Sequence, residues 1–240
     1  MLGVNGLATE PMPGEAEARI THRTWLRWHL AGNSAQALAY WRQQHFEPAT
    51  LYEQQVLATL LADAGDDDAE KWIAKFAEFR PADAEAIRAR AFAKREKWDD
   101  ATAALGTAFA AWRHDPWATA GLVNDSVDLA QFIARESRRH DLARRLFEDL
   151  RGPFAVSIAR ERRMNALVEI AKVSADSPFN DFTRLALDDY GAHLPWRSAF
   201  LHLQVRTRDT LHDPRLEAAT VDLRRFLAHE PVRFESGLAR

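Results

Sequence analysis

The chain has 240 residues, no cysteine, a formal charge of −3 and a hydrophobic share of 47%, which suits a globular protein of one elongated domain or two smaller ones. The missing cysteine excludes thiol nucleophiles, thiolate metal sites and disulfides and fits the reducing cytoplasm, and the near-balanced charge implies no nucleic-acid partner. With 43 Ala and 26 Leu against 10 Val and 6 Ile, the residues that fill strands are scarce and a large sheet is excluded.

Residues 1–15 hold three Gly and two Pro, with neither a basic start nor a continuous apolar stretch, and so predict a flexible tail and no signal peptide. Apolar residues at three- and four-residue spacing then predict helices near 16–31, 34–46, 49–63, 67–79, 82–96 and 98–113. The pattern continues near 117–138, 141–151, 154–174, 179–190, 195–211 and 214–228, with a second tail at 231–240. No apolar run approaches the roughly 18 residues of a membrane span, so no membrane insertion is expected. Pro48, Pro81, Pro116, Pro153, Pro178, Pro195 and Pro214 each precede a helical stretch, as suits a residue that needs no amide donor in the first turn. In Asp115-Pro116, Ser177-Pro178 and Asp213-Pro214 a capping residue stands directly before the proline. The expectation is an all-α chain of about twelve helices.

A repeat runs through the first half. Ala37, Ala69 and Ala101 are 32 residues apart. Four positions later stand Trp41, Ile73 and Leu105; nine earlier stand Trp28, Leu60 and Phe92; twelve earlier stand Trp25, Leu57 and Ala89. Each column is apolar, and Pro48, Pro81 and Pro116 close the units. A small residue lets two helices approach while bulky neighbours one turn away fill the gap.

These columns resemble the tetratricopeptide repeat, best over 83–116 (Ala89, Phe92, Trp98, Ala101, Leu105, Ala108) and next over 51–81 (Ala69, Ile73, Phe76, Pro81). The departures are a spacing of 32 where the family has about 34, Glu85 and Arg88 at positions the family fills with Trp and Leu, and a fourth unit on Ala143, Phe147, Leu150 and Pro153 that comes 42 residues on. The resemblance implies a TPR-like α-solenoid, a stack of antiparallel helical hairpins over 16–153, with hairpins at 154–230 continuing it. It further implies a non-catalytic scaffold without cofactor or metal that binds a protein or peptide partner in a groove. Transferred position by position, that groove holds Gln54, Asp83, Arg90 and Lys94, with His22, His29, Asp125, Asp128 and Arg135 at equivalent offsets.

A second similarity joins Asp115-Pro116-Trp117, Leu142-Ala143-Arg144-Arg145-Leu146-Phe147 and Pro153-Phe154-Ala155-Val156 to the helical tail of some bacterial spermidine synthase-like fusion proteins. It implies a detached accessory part of an aminopropyltransferase system. The catalytic domain is missing, since no strand leads into a glycine-rich turn and helix.

Other clusters read as structural. His22 and His29 share a helix face but are about 10 Å apart in rise, too far for one metal ion. His193 and His202 lack the spacing of a zinc-binding helix. Asp66, Asp67, Asp68 and Glu70 resemble the aspartate-rich motif of all-helical enzymes that bind diphosphate through magnesium, which gives such an enzyme as a second alternative to the scaffold, yet they open a helix, where carboxylates meet the positive end of the dipole. The other acidic pair, Asp188 and Asp189, closes a helix. Nine arginines against five acids over 131–165 predict a solvated face with interleaved pairs. Trp25, Trp28, Trp41 and Trp98 are assigned to packing, not to ligand stacking.

Overall fold

In the computed structural model the described residues are 15–44, 46–155 and 157–229. Of the two expected tails, 1–15 and 231–240, residues 1–14 and 231–240 lie outside them, while Glu15 belongs to the first helix. The described residues form twelve α-helices and no strand. The first six are α1 (Glu15–Leu30), α2 (Ser34–Gln43), α3 (Leu51–Ala64), α4 (Ala69–Ala77), α5 (Pro81–Lys94) and α6 (Trp98–Trp112). The others are α7 (Ala120–Glu136), α8 (His140–Arg151), α9 (Arg160–Lys172), α10 (Asp181–Tyr190), α11 (Ser198–Thr210) and α12 (Leu216–His229), with 3₁₀ turns at Ser157–Ala159 and Gly191–His193. Among the described residues no helix is long and apolar enough to cross a membrane.

The contacts divide the chain into two compact units, Met1–Ala108 and Phe109–Arg240. In the first, α1 packs on α2, α2 on α3, α3 on both α4 and α5, and α4 on α5. In the second, α7 packs on α8 and α9, α8 on α9, α9 on α10, and then each helix on the next as far as α12. The sequence placed a boundary at residue 153, which falls inside the second unit.

The repeat columns turn out to be core. Ala37, Ala69 and Ala101 are buried, as are Trp25, Leu57 and Ala89 in a second column and Ile73 and Leu105 in a third. In the first unit Trp25, Ala37, Val56 and Leu60 form one cluster, against which Leu26, Tyr40 and Trp41 pack. The Trp25 and Trp41 rings meet edge-on at 5.4 Å, and Trp41 meets Trp72 at 6.0 Å, so three indoles tie α1, α2 and α4 together. Not every tryptophan is core. Trp41 and Trp98 are half-buried, and Trp28 is 37% exposed, stacked on Tyr40 at the surface. The Trp28 column is therefore not apolar interior throughout.

Helix ends follow local chemistry. Thr50 caps α3 by accepting the Glu53 amide, while Glu53 accepts the Ala49 amide. Gly65 ends α3 with φ +70°, and the amides of Gly65 and Asp66 return to Ala62 and Leu61, a left-handed stop that favours glycine. Only Pro81 stands at the first turn of its helix; the other six interhelical prolines come earlier. In the three proline pairs the preceding side chain does not cap the helix directly. Asp115 accepts the Trp117 amide (2.8 Å), Ser177 the Phe179 amide (3.1 Å) and Asp213 the Arg215 amide (2.8 Å), so each side chain folds a turn ahead of the helix. The largest departure from the expected boundaries is α9, predicted from 154 and observed from Arg160. Phe154 is buried against Phe109 and Trp112, and the Ala155 amide donates to the Trp112 carbonyl, which holds this stretch out of the helix.

Candidate functional site

On α7, Leu122, Val123, Val127, Ala130 and Ile133 are buried, which leaves Asn124, Asp128 and Gln131, at i, i+4 and i+7, sharing another face. On α9, Met164, Leu167, Val168 and Ala171 are buried, and Glu161, Arg162 and Asn165 stand at i, i+1 and i+4 along the border of that apolar face. These six polar residues line a cleft of about 480 Å³ between the two helices. Arg162 donates to Asp128 across it. The Tyr190 hydroxyl donates to Asn165 Oδ1 at 2.7 Å, which orients the carboxamide. Burial pushes the Tyr190 phenol up to about 12.

A second cleft of about 550 Å³ shares Glu161 with the first and lies between the start of α9 and the end of α10. Arg160, Arg163, Asp189, Tyr190 and His193 line it. Arg163 is buried, and burial pulls its guanidinium below the ordinary arginine value. Nearby on α8, burial raises the Asp149 carboxyl. Its Oδ2 is buried with no hydrogen-bond partner among the described residues, while Arg113 donates to the Asp149 main-chain carbonyl.

The residues expected to line a groove are distributed as follows. With its proton on Nε2, His22 donates to Glu53 Oε1 at 3.4 Å and accepts from the Trp25 indole, a link from α1 to α3. His29 is half-buried, and burial lowers its pKa. Gln54 is half-buried and its Oε1 has no hydrogen-bond partner among the described residues. Arg90 makes a two-pronged pair with Asp63 at 2.8 and 2.7 Å, joining α5 to α3. Lys94 is exposed and lays its stem beside Gly65. Asp83 is fully buried and held by Arg80 at 2.9 and 3.1 Å, so it offers no surface to a partner; the buried Ala84, Ala86 and Ile87 that follow it carry this turn inward. In the second unit, Asp128 lines the cleft, Asp125 is exposed beside it, and Arg135 pairs with its neighbour Glu136.

Three of the four acids in the acidic run pair with arginines. Asp66 pairs with Arg42, Asp67 with Arg95 and Glu70 with Arg88. The Asp68 amide, followed by Arg42, holds the Asp66 carboxyl below the usual range. Among the described residues no group of three or more His, Cys, Asp or Glu is placed to hold a metal ion.

Asn124, Gln131, Arg162, Asn165 and Tyr190 were not foreseen. Spacing on each helix was the available signal, but the cleft exists only because α7 and α9 become neighbours across α8. No family model matches the chain, and comparison with curated proteins and with solved structures gives no match.

Proposed function

We propose that the chain is a non-catalytic helical scaffold that binds a protein or peptide partner along the polar cleft between α7 and α9. The observation that carries this reading is the lining itself. Asn124, Gln131 and Asn165 surround the Asp128–Arg162 ion pair on two helices whose apolar faces are already used in the core. A carboxamide both donates and accepts, which matches the alternating N–H and C=O groups of a peptide main chain. The TPR-like solenoid remains the architecture that fits this use, supported by the buried alanine columns and by helices that pack on the next and next-but-one neighbour. An aminopropyltransferase-like enzyme is one partner class within this reading, and its copurification would specify it.

The full chain serves as bait in native extract, beside the double variant Asn124→Ala, Gln131→Ala. Partners retained by the wild type are expected to be lost from the variant at unchanged helicity, and to elute as salt rises, because the ion pair is exposed. Equal retention by both proteins overturns the assignment of the cleft.

A further inference from the structure

We infer that the cleft between the start of α9 and the end of α10 binds an oxyanion, a carboxylate or a phosphate, between Arg160 and Arg163. Arg163 carries a charge without a paired counter-charge among the described residues. Arg163 is only 7% exposed, and its Nη1 donates to the carbonyls of Leu150 and Arg151, both at 2.8 Å, at the end of α8. Those bonds fix the guanidinium but leave its charge in place. Its Nη2 meets the Met164 thioether at 3.5 Å, a weak acceptor. No carboxylate forms an ion pair with Arg163 among the described residues.

The neighbouring acids do not supply that partner. Asp189 lines the cleft and its charge is felt by Arg163, but its two oxygens accept from Arg151 at 2.9 and 3.2 Å. Glu161 is exposed and forms no ion pair among the described residues. Arg160 stands one turn before Arg163 on the same side of α9 and is exposed, also without an ion pair among the described residues. Both arginines also line an adjoining cavity of about 400 Å³ beside Pro153 and Phe154. The balance of Arg160, Arg163 and the Arg151–Asp189 pair against Glu161 leaves the cleft positive. Burying a guanidinium without a counter-ion is costly, and an oxyanion that accepts from both forks relieves that cost. The volume of about 550 Å³ exceeds what a single oxyanion fills, so the site suits an anionic group carried on a larger molecule.

The assignment goes beyond the scaffold reading and is tested with no partner present. The full chain is titrated calorimetrically with inorganic phosphate and, separately, with acetate at constant ionic strength. Saturable binding of at least one is expected; preference for phosphate points to a phosphorylated ligand and preference for acetate to a carboxylate. Arg160→Gln, at an exposed position, is expected to weaken binding about tenfold. Glu161→Gln should tighten it, and Arg138→Gln in the α7–α8 turn should leave it unchanged. Absence of saturation with both anions, or wild-type affinity in Arg160→Gln, overturns the proposal.

Discussion

Tyr190 is 8% exposed and its hydroxyl donates to Asn165, and its chemistry gives the cleft a signature in pH. Burial raises its pKa from 10.0 to about 12, and the nearby charge of Glu161 adds to the shift against the opposing Arg197 and Arg163. The folded chain therefore keeps the proton after the unfolded chain has lost it. Stability is unaffected by this group below pH 10 and falls as pH rises from 10 to about 12. Tyr190→Phe should remove that part of the alkaline loss, at a cost of about 1 kcal/mol at neutral pH for the missing hydrogen bond. Urea denaturation of both proteins at a series of pH values checks this, and parallel alkaline profiles would show that Tyr190 titrates normally. Nothing in the sequence around Asp188-Asp189-Tyr190 announces this environment. The hydroxyl's partner Asn165 lies 25 positions away and the ring packs edge-on against Phe200 of α11, and a tyrosine at a helix end carries no sign of either.

At the level of helices, periodicity was a good guide to existence and a weaker one to boundaries. Twelve amphipathic stretches were legible because the side chains facing the core recur at three and four, a property of each helix alone. The starts of α7 and α9 were not, because Asp115 and Phe154 hold the preceding residues by a turn and by burial. The docking of α12 shows the same limit. Arg208 on α11 donates to Asp213 at 3.1 Å and to Asp188 at the end of α10 at 2.9 Å, and Arg215 reaches both aspartates. Hydrogen bonding from Arg215 holds the Asp213 carboxyl well below the usual carboxylate range. Because the folded pKa is depressed, its stabilisation is complete above the unfolded value of about 3.9 and is lost as pH falls from there toward the folded one. Thermal melts on acidification should show a steeper fall for wild type than for Asp213→Asn below pH about 4. Equal slopes would mean that the network does not contribute to the attachment of α12.

Across the whole molecule, the alanine columns were legible while the cleft was not, and the difference has a physical basis. A close helix approach constrains the residue at the contact to be small, so the constraint is written at the position itself, and Ala37, Ala69 and Ala101 are all at most 2% exposed. A cleft is a property of two helices together, and Asn124 or Asn165 could equally well sit on any solvated face. The groove transferred from the repeat family accordingly met the cleft at Asp128 and placed Asp83 where the core has no room for a ligand. The shared register makes its own demand. Replacing any of the three column alanines with leucine inserts three carbons into a closed contact, and each change should destabilise by about 1–3 kcal/mol. Ala110, an exposed alanine on α6, provides the reference, since the same change there adds volume toward solvent. Denaturant unfolding of the four single variants decides the matter: three similar losses beside a neutral Ala110→Leu would establish one structural role repeated at a spacing of 32 residues. A tolerant Ala37→Leu would instead restrict the common register to the helices that follow Pro48.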